Sequence, residues 1–148
     1  RDLHKEYRRQ RQMCIRDRII HCRDSFSDVF DTLSTRETTN PIILHSWTGG
    51  NKWTKKFIDL GVYFSISGIV TYDTAHDLQA AVKNIPIDKI LLETDVPYLA
   101  PQPFKGKRNN PTYIQYTGAK LAELLGLAPN ELSKITITNT NKVMNRET

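Results

Sequence analysis

The sequence predicts an α/β fold in which four strand–helix units form one parallel sheet. Short apolar runs of strand length alternate four times with segments whose apolar residues recur at helical spacing. Three of the four runs are apolar throughout, which is typical of parallel strands covered by helices on both faces. This regular alternation favours right-handed crossovers between neighbouring strands.

The first two units are predicted in the first part of the chain, after a polar N-terminal segment. Residues 18–22 form the first predicted strand, and the helix after it carries its apolar residues on one face. The second predicted strand covers residues 42–45 and ends in a histidine. The helix that follows ends at Gly61, since glycine is favoured at helix C-termini.

The third and fourth units complete the predicted sheet. Residues 62–67 form the third strand, and its helix begins at about residue 74. The fourth strand, residues 90–92, leads into an acidic turn and a proline-rich loop. Asn110, which precedes a proline, is predicted to cap the next helix. A last helix is predicted over residues 129–143.

The positive charge of the chain is concentrated at one end. The formal net charge is +5, and residues 1–23 alone carry eight basic and three acidic groups. The rest of the chain holds thirteen basic and thirteen acidic residues. Because the body of the chain is neutral, charge alone does not predict nucleic-acid binding.

Cysteine usage and hydropathy bear on where the protein works and on whether it meets a membrane. Cys14 and Cys22 lack the spacing of a metal motif, so a reduced, cytoplasmic environment is the default. No apolar run approaches the about 20 residues that a membrane-spanning helix needs. We therefore expect no membrane partner.

Three predicted strands end at side chains that can bind a metal, namely His21, His45 and Asp95. The carboxyl ends of parallel strands meet at one rim, so these side chains are expected to lie close together. Two imidazoles and a carboxylate suit zinc, manganese or iron, and further carboxylates would favour magnesium. The residues alone leave open the alternative of two core histidines and an aspartate that caps a turn.

Five stretches occur in order along the chain: IIHCRDS, IILHSWTGG, GVYFSISGIVTY, KILLETDVPYLAP and KGKRNNPTYI. Together they resemble the TatD family of metal-dependent deoxyribonucleases, which belongs to the amidohydrolase-like metal hydrolases. The resemblance extends from about Ile19 to Met144. It implies a DNA substrate, a divalent metal ion (Mg, Mn or Zn) and hydrolysis of phosphodiester bonds by a metal-activated water.

The resemblance also implies an architecture and a set of site residues. The chain is expected to be the C-terminal half of a TIM-type (β/α)₈ barrel, with residues 19–148 supplying four parallel βα units that correspond to strands five to eight. His21, His45 and Asp95 would be metal ligands at the ends of strands five, six and eight. Asp95 and Glu93 are the expected catalytic residues, with Glu93 acting as a base or orienting His45.

Two departures from the family pattern affect these expectations. The HxH motif of the family's first strand and the ligand glutamate of its fourth strand have no counterpart here. Residues 1–18 match the family poorly and are expected to be disordered or a foreign join. We therefore expect an incomplete fragment with weak metal affinity and little or no turnover. Its open sheet edges would favour self-association.

Four residues are candidates for contact with DNA. Arg23 would meet a phosphate, or would instead pair with Asp24. Lys107 and Arg108, in the loop after the fourth strand, would contact the DNA backbone, or would simply be solvated. Trp47 would stack on a base, or would instead cover the barrel mouth.

Two other functions are compatible with these residues. One is an amidohydrolase-type enzyme that acts on amide or ester bonds. The other is a non-catalytic half-barrel that self-associates. The basic KGKRN stretch favours a phosphate-containing substrate over an amide or ester.

Overall fold

A computed structural model describes residues 18–35 and 40–144 of the chain. Within these residues four parallel strands form one sheet, in the order in which they occur in the sequence. The strands are β1 (Arg18–His21), β2 (Ile42–His45), β3 (Tyr63–Ile66) and β4 (Ile90–Leu92). The predicted α/β fold with a parallel sheet is confirmed.

Helices connect the strands and follow the last one. They are α1 (Phe26–Ser34), α2 (Asn51–Asp59), α3 (His76–Val82), α4 (Ile114–Leu125) and α5 (Pro129–Val143). Short 3₁₀ segments cover Gly68–Thr71, Ile87–Lys89 and Pro111–Tyr113.

Two sequence predictions about helix starts have different outcomes. The third helix begins at His76, slightly later than the expected start at about residue 74, and it is seven residues long. A 3₁₀ turn at Gly68–Thr71, which was not predicted, lies between β3 and this helix. The cap at Asn110 is confirmed, since its side chain accepts a hydrogen bond from the N–H of Thr112 at 2.9 Å. That cap starts the 3₁₀ segment that leads into α4.

The core lies on both faces of the sheet. Ile42 and Leu44 of β2 belong to the larger buried cluster, whereas Ile43 between them belongs to a smaller cluster that includes Val143 of α5. All three β2 residues are at most 7% exposed. Burial on both faces explains why this strand is a continuous apolar run rather than an alternating pattern.

Three aromatic rings form the centre of the larger cluster. Trp47, Phe57 and Phe64 are fully buried, and the Trp47 ring centroid lies 5.3 Å from each of the other two. Both pairs meet edge to face, the arrangement that aromatic rings prefer. This packing fixes the segment after β2 against β3 and α2.

The register places the carboxyl ends of the strands at one edge of the sheet. His21, the last residue of β1, is paired with His45, the last residue of β2. The backbone N–H of Glu93 donates to the carbonyl of Ile66 at 3.1 Å, one residue beyond the end of β4. The residues that follow β2 and β4 are therefore held at the same edge.

The two outer strands each have one neighbour among the described residues. Ile19 of β1 is 64% exposed. An open edge with an exposed apolar residue is compatible with the expected self-association. Self-association itself stays a prediction.

The N-terminal segment assigned to residues 1–18 lies outside the described residues, apart from the backbone of Arg18. Its expected disorder and the role of Cys14 therefore stay predictions. Among the helices in the described part of the chain, none is both long and apolar enough to cross a membrane.

Gly68 lies where two backbone segments approach closely. A Cβ atom at this position would lie 2.2 Å from the carbonyl oxygen of Leu99 and 2.9 Å from the nitrogen of Pro101. No side chain fits there unless the backbone shifts. Glycine thereby allows the segment after β4 to pack against the segment after β3.

The first test compares two glycine substitutions. Gly68→Ala should lower the free energy of unfolding by about 1–3 kcal/mol, because the added methyl group overpacks a backbone contact. Gly118→Ala is the control, since the nearest atom to its added Cβ is Leu92 Cδ1 at 3.5 Å. In mid-helix that change should be neutral or stabilising by up to about 1 kcal/mol.

Urea unfolding, monitored by circular dichroism, gives the free energy of unfolding of both variants. Equal unfolding midpoints for the two variants would contradict the close approach at Gly68.

Candidate metal centre

Three side chains meet at the carboxyl edge of the sheet. His45 ends β2, whereas Glu93 and Asp95 follow β4. One ligand atom from each of the three lies within 4.8 Å of the other two. Their side chains are 25%, 19% and 27% exposed, so the group is partly shielded from water and still accessible.

His45 lies between the two carboxylates. Its Nδ1 is 2.9 Å from Glu93 Oε2, and its Nε2 is 3.2 Å from Asp95 Oδ1. A carboxylate only accepts hydrogen bonds, so the bond between His45 and Glu93 requires the tautomer with the proton on Nδ1. In the neutral form of that tautomer, Nε2 carries the lone pair, and it lies 3.2 Å from Asp95 Oδ1.

This arrangement fits a cation between His45 and Asp95. Two lone pairs 3.2 Å apart repel each other unless a proton or a metal ion lies between them. Ligands about 2.1 Å from one ion lie roughly 3.0–3.4 Å apart at octahedral or tetrahedral angles. His45 and Asp95 are therefore spaced as two ligands of one ion.

Glu93 supplies a further unused acceptor. Among the described residues, its Oε1 is the only buried side-chain nitrogen or oxygen without a hydrogen-bond partner. A buried acceptor without a partner is costly unless a cation or donor satisfies it. The donor set of one imidazole and two carboxylates suits a divalent metal.

His21 lies beside this group rather than within it. Its ring centroid is 5.8 Å from that of His45, and its side chain is exposed. The structure thus brings together His45 and Asp95 of the three predicted ligands and adds Glu93. The role of His21 as a ligand stays a prediction.

Cys22 is a buried packing residue. It is 2% exposed. Burial raises the pKa of its thiol, an effect that a hydrogen bond with Ser25 partly opposes. The thiol therefore stays protonated at neutral pH and is a poor metal ligand.

A cavity of about 630 Å³ opens beside the metal-binding group. It is lined by residues at or after the ends of β1, β2, β3 and β4, among them His21, Arg23, Ser46, Tyr72, Asp95 and Tyr98. A second groove of about 510 Å³ between α4 and α5 has no ionisable side chain in its lining. A third cavity, of about 340 Å³, is lined by Asp73, His76 and Lys120, but none of His45, Glu93 or Asp95 lies in its wall. The cavity at the strand ends includes Asp95 and is therefore the one beside the candidate metal centre.

The proposed stacking of a base on Trp47 is wrong. Its ring is 0% exposed, and its Nε1 donates to Thr54 Oγ1 at 2.9 Å. The ring packs in the core because the loop after β2 turns inward, with the N–H of Trp47 donating to the carbonyl of Ser65. A buried ring cannot reach a nucleobase.

The predicted cationic residues lie on the surface. Arg23 is part of the cavity wall, and its Nε is 3.9 Å from Asp24 Oδ2 with both side chains largely exposed. An exposed pair at this distance contributes little, so Arg23 is free to meet another anion. Lys107 and Arg108 are exposed and lie outside that wall.

Tyr98 is a site residue that the sequence did not single out. It lines the cavity with Asp95, and 69% of its surface is exposed. Its place in the PYL stretch has no periodic pattern that separates a cavity residue from a core residue. The only available signal was its position three residues after Asp95.

Comparison with known proteins identifies the family of the chain. The model of the family described as TatD related DNase matches residues 17–145. The chain belongs to the TatD family.

Two curated relatives are named as metal-dependent hydrolases. YcfH of Escherichia coli K12 is 39% identical over 122 residues, which cover 82% of this chain and 46% of YcfH. YabD of Bacillus subtilis is 37% identical over 127 residues, which cover 84% of this chain and 49% of YabD. The chain thus spans about half the length of these relatives.

A solved TatD structure confirms the likeness of fold. YJJV, a TatD homologue of Escherichia coli K12, superposes with a TM-score of 0.82 at 25% identity. The superposition covers 87% of this chain and 50% of YJJV. The TatD resemblance is therefore confirmed, and with it the assignment to a family of metal-dependent hydrolases.

The metal centre is tested by direct binding. His45→Ala and Asp95→Ala should each weaken Mn²⁺ binding by more than about 10-fold, because each removes one of two facing ligand atoms. His76→Ala is the control, since this exposed histidine at the start of α3 lies outside the group. Electron paramagnetic resonance of free Mn²⁺ measures affinities from micromolar to millimolar. Equal affinities in all three variants would contradict the assignment.

Proposed function

We propose that this site is the metal centre of a hydrolase that cleaves DNA phosphodiester bonds. The observation that carries the proposal is the facing pair of His45 Nε2 and Asp95 Oδ1, 3.2 Å apart beside a cavity with Arg23 on its wall. The description of the matched family, TatD related DNase, supports DNA as the substrate.

The three residues of the centre have distinct roles in this proposal. Asp95 and His45 hold the ion, and Glu93 orients the His45 ring through the bond to Nδ1. A divalent ion, when bound there, activates water and neutralises charge on a phosphate oxygen. Orientation by Glu93 is the better supported of its two predicted roles, because Nδ1 already occupies one of its oxygens.

The cations around the cavity would position the substrate. Arg23 can bind a phosphate of the DNA backbone with its exposed guanidinium group. Lys107 and Arg108 would extend this positive surface along the backbone, since both are exposed. Such contacts fix the register of a strand and carry no sequence information.

The four βα units are proposed to be strands five to eight of a (β/α)₈ barrel. The match to half the length of YcfH and to half of the YJJV structure supports this placement. Barrel enzymes place their sites at the carboxyl ends of the strands, where the His45, Glu93 and Asp95 group lies. The activity of the whole protein would then use this rim.

A substrate panel tests the proposed reaction. With Mn²⁺ or Mg²⁺ present, the weak activity expected of this chain should be cleavage of single- or double-stranded DNA oligonucleotides in preference to aryl esters and amides. Asp95→Asn should reduce that rate by at least about 100-fold, because it removes a charged ligand. Cleavage of esters or amides alone, lost in the same variant, would replace DNA by another substrate class. DNA cleavage that Asp95→Asn leaves unchanged would point to a contaminating nuclease.

Tyr98 takes the stacking role that Trp47 cannot perform. An exposed tyrosine on the cavity wall offers a ring face to a nucleobase, a contact worth about 1–3 kcal/mol per base. Tyr98→Ala should therefore weaken binding of a single-stranded oligonucleotide by about 5- to 150-fold, measured by fluorescence anisotropy. Tyr116→Ala is the control, because Tyr116 lies outside the cavity and is 37% exposed. Equal losses in both variants would exclude stacking on Tyr98.

A further inference from the structure

The residues after β4 form a tight turn that carries Asp95. Asp95 has a φ of 52° and Leu99 a φ of 55°, in the left-handed region that residues other than glycine rarely adopt. The N–H of Tyr98 donates to the carbonyl of Asp95 at 2.8 Å. A disfavoured backbone conformation persists only when surrounding contacts over-determine it. Further contacts must therefore hold this turn.

The buried side chain of Asn109 supplies those contacts. Its Nδ2 donates to the carbonyl oxygens of Thr94 and Tyr98, the second at 2.6 Å. Its backbone N–H donates to the carbonyl of Pro97 at 2.9 Å. Asn109 is 4% exposed, and it binds the backbone on both sides of Asp95.

All hydrogen-bonding groups of the Asn109 amide are in use. The two N–H donors of Nδ2 bind two carbonyls, and Oδ1 accepts the N–H of Asn110 at 2.8 Å. A short primary amide is the side chain that offers two donors and a separate acceptor at this reach. Replacing it would leave part-buried carbonyls without a donor.

We propose that Asn109 is a positioning residue that fixes the Asp95 carboxylate beside His45 for metal binding. The inference rests on the proposed metal centre. Without the amide, the carbonyls of Thr94 and Tyr98 lose their common partner. Asp95 can then leave the left-handed conformation, and its Oδ1 can move from its place 3.2 Å from His45 Nε2.

Asn109 also joins the basic loop to the metal centre. Lys107 and Arg108 directly precede it in the chain, and Asn110, which caps the next helix segment, directly follows. The same residue therefore anchors the end of the loop and the turn that carries Asp95. Lys107 and Arg108, which are proposed to bind phosphate, are thus joined through Asn109 to the turn that carries the metal ligand Asp95.

A purely structural role for Asn109 would predict a different outcome, and Asn139 of α5 separates the two. Asn139 is also a buried asparagine, 5% exposed, and its Nδ2 also donates to two carbonyls, those of Ile87 at 2.8 Å and Ile90 at 2.9 Å. These contacts lie at the opposite end of β4 from Asp95. The two amides match in chemistry and burial and differ in what they hold.

The experiment compares Asn109→Ala with Asn139→Ala in the full chain. Mn²⁺ affinity is measured by electron paramagnetic resonance, and stability by urea unfolding of the same samples. Both variants should lose stability, since each leaves two carbonyls without a side-chain donor. Only Asn109→Ala should weaken Mn²⁺ binding, by about 10- to 100-fold, the range found when a residue that orients a metal ligand is removed.

Each outcome decides the question. An Mn²⁺ affinity within two-fold of the unchanged chain in Asn109→Ala, or an equal loss in both variants, would overturn the positioning role. If the unchanged chain binds no Mn²⁺, the metal centre itself fails, and the inference fails with it. Failure of the metal centre is therefore distinguished from failure of the positioning role, since in the second case the unchanged chain still binds Mn²⁺.

A second measurement covers the case in which Asn109→Ala does not fold. In the unchanged, isotope-labelled chain, titration with Mg²⁺ should shift the side-chain amide resonances of Asn109 and leave those of Asn139 in place. The shift is expected because ion binding to Asp95 alters the turn that Asn109 holds. Asn109 resonances that do not move while Mg²⁺ binds would overturn the inference.

Discussion

The parallel register between β3 and its two neighbours is the constraint on which the candidate site depends. β2 and β4 are not in contact through backbone pairing, so His45 and the two carboxylates meet only because both strands pair with β3. The bond from Glu93 N–H to the Ile66 carbonyl extends that pairing into the site. A slip of one residue in either pairing would turn these side chains to the other face.

The residues of the centre constrain one another through complementary chemistry. A neutral imidazole can donate from one nitrogen only, so the carboxylate that binds Nδ1 determines which lone pair faces the second carboxylate. The core also supports the position of His45, because the buried ring of Trp47, two residues later, packs against Phe57 and Phe64. Packing and hydrogen bonding therefore act on the same few atoms.

The sequence predicted the strands well because each is a short apolar run with a clear polar end, as in Ile42–His45. It proposed His45 and Asp95 as ligands for the same reason, since His45 ends β2 and Asp95 lies in the turn after β4. It did not predict the depth of Trp47, because a loop tryptophan shows no periodicity that distinguishes core from surface. Asn109 was also missed, since its contacts depend on a turn fourteen residues earlier that no local pattern describes.

The buried position of Trp47 has a spectroscopic consequence. The chain has two tryptophans, and Trp47 is wholly enclosed whereas Trp53 is partly exposed near the ammonium groups of Lys52 and Lys56. Their emission should therefore separate into a blue-shifted component that acrylamide quenches poorly and a redder component that it quenches readily. Because Trp47 lies two residues after His45, the shielded emission is a natural optical probe of the strand end that carries the histidine.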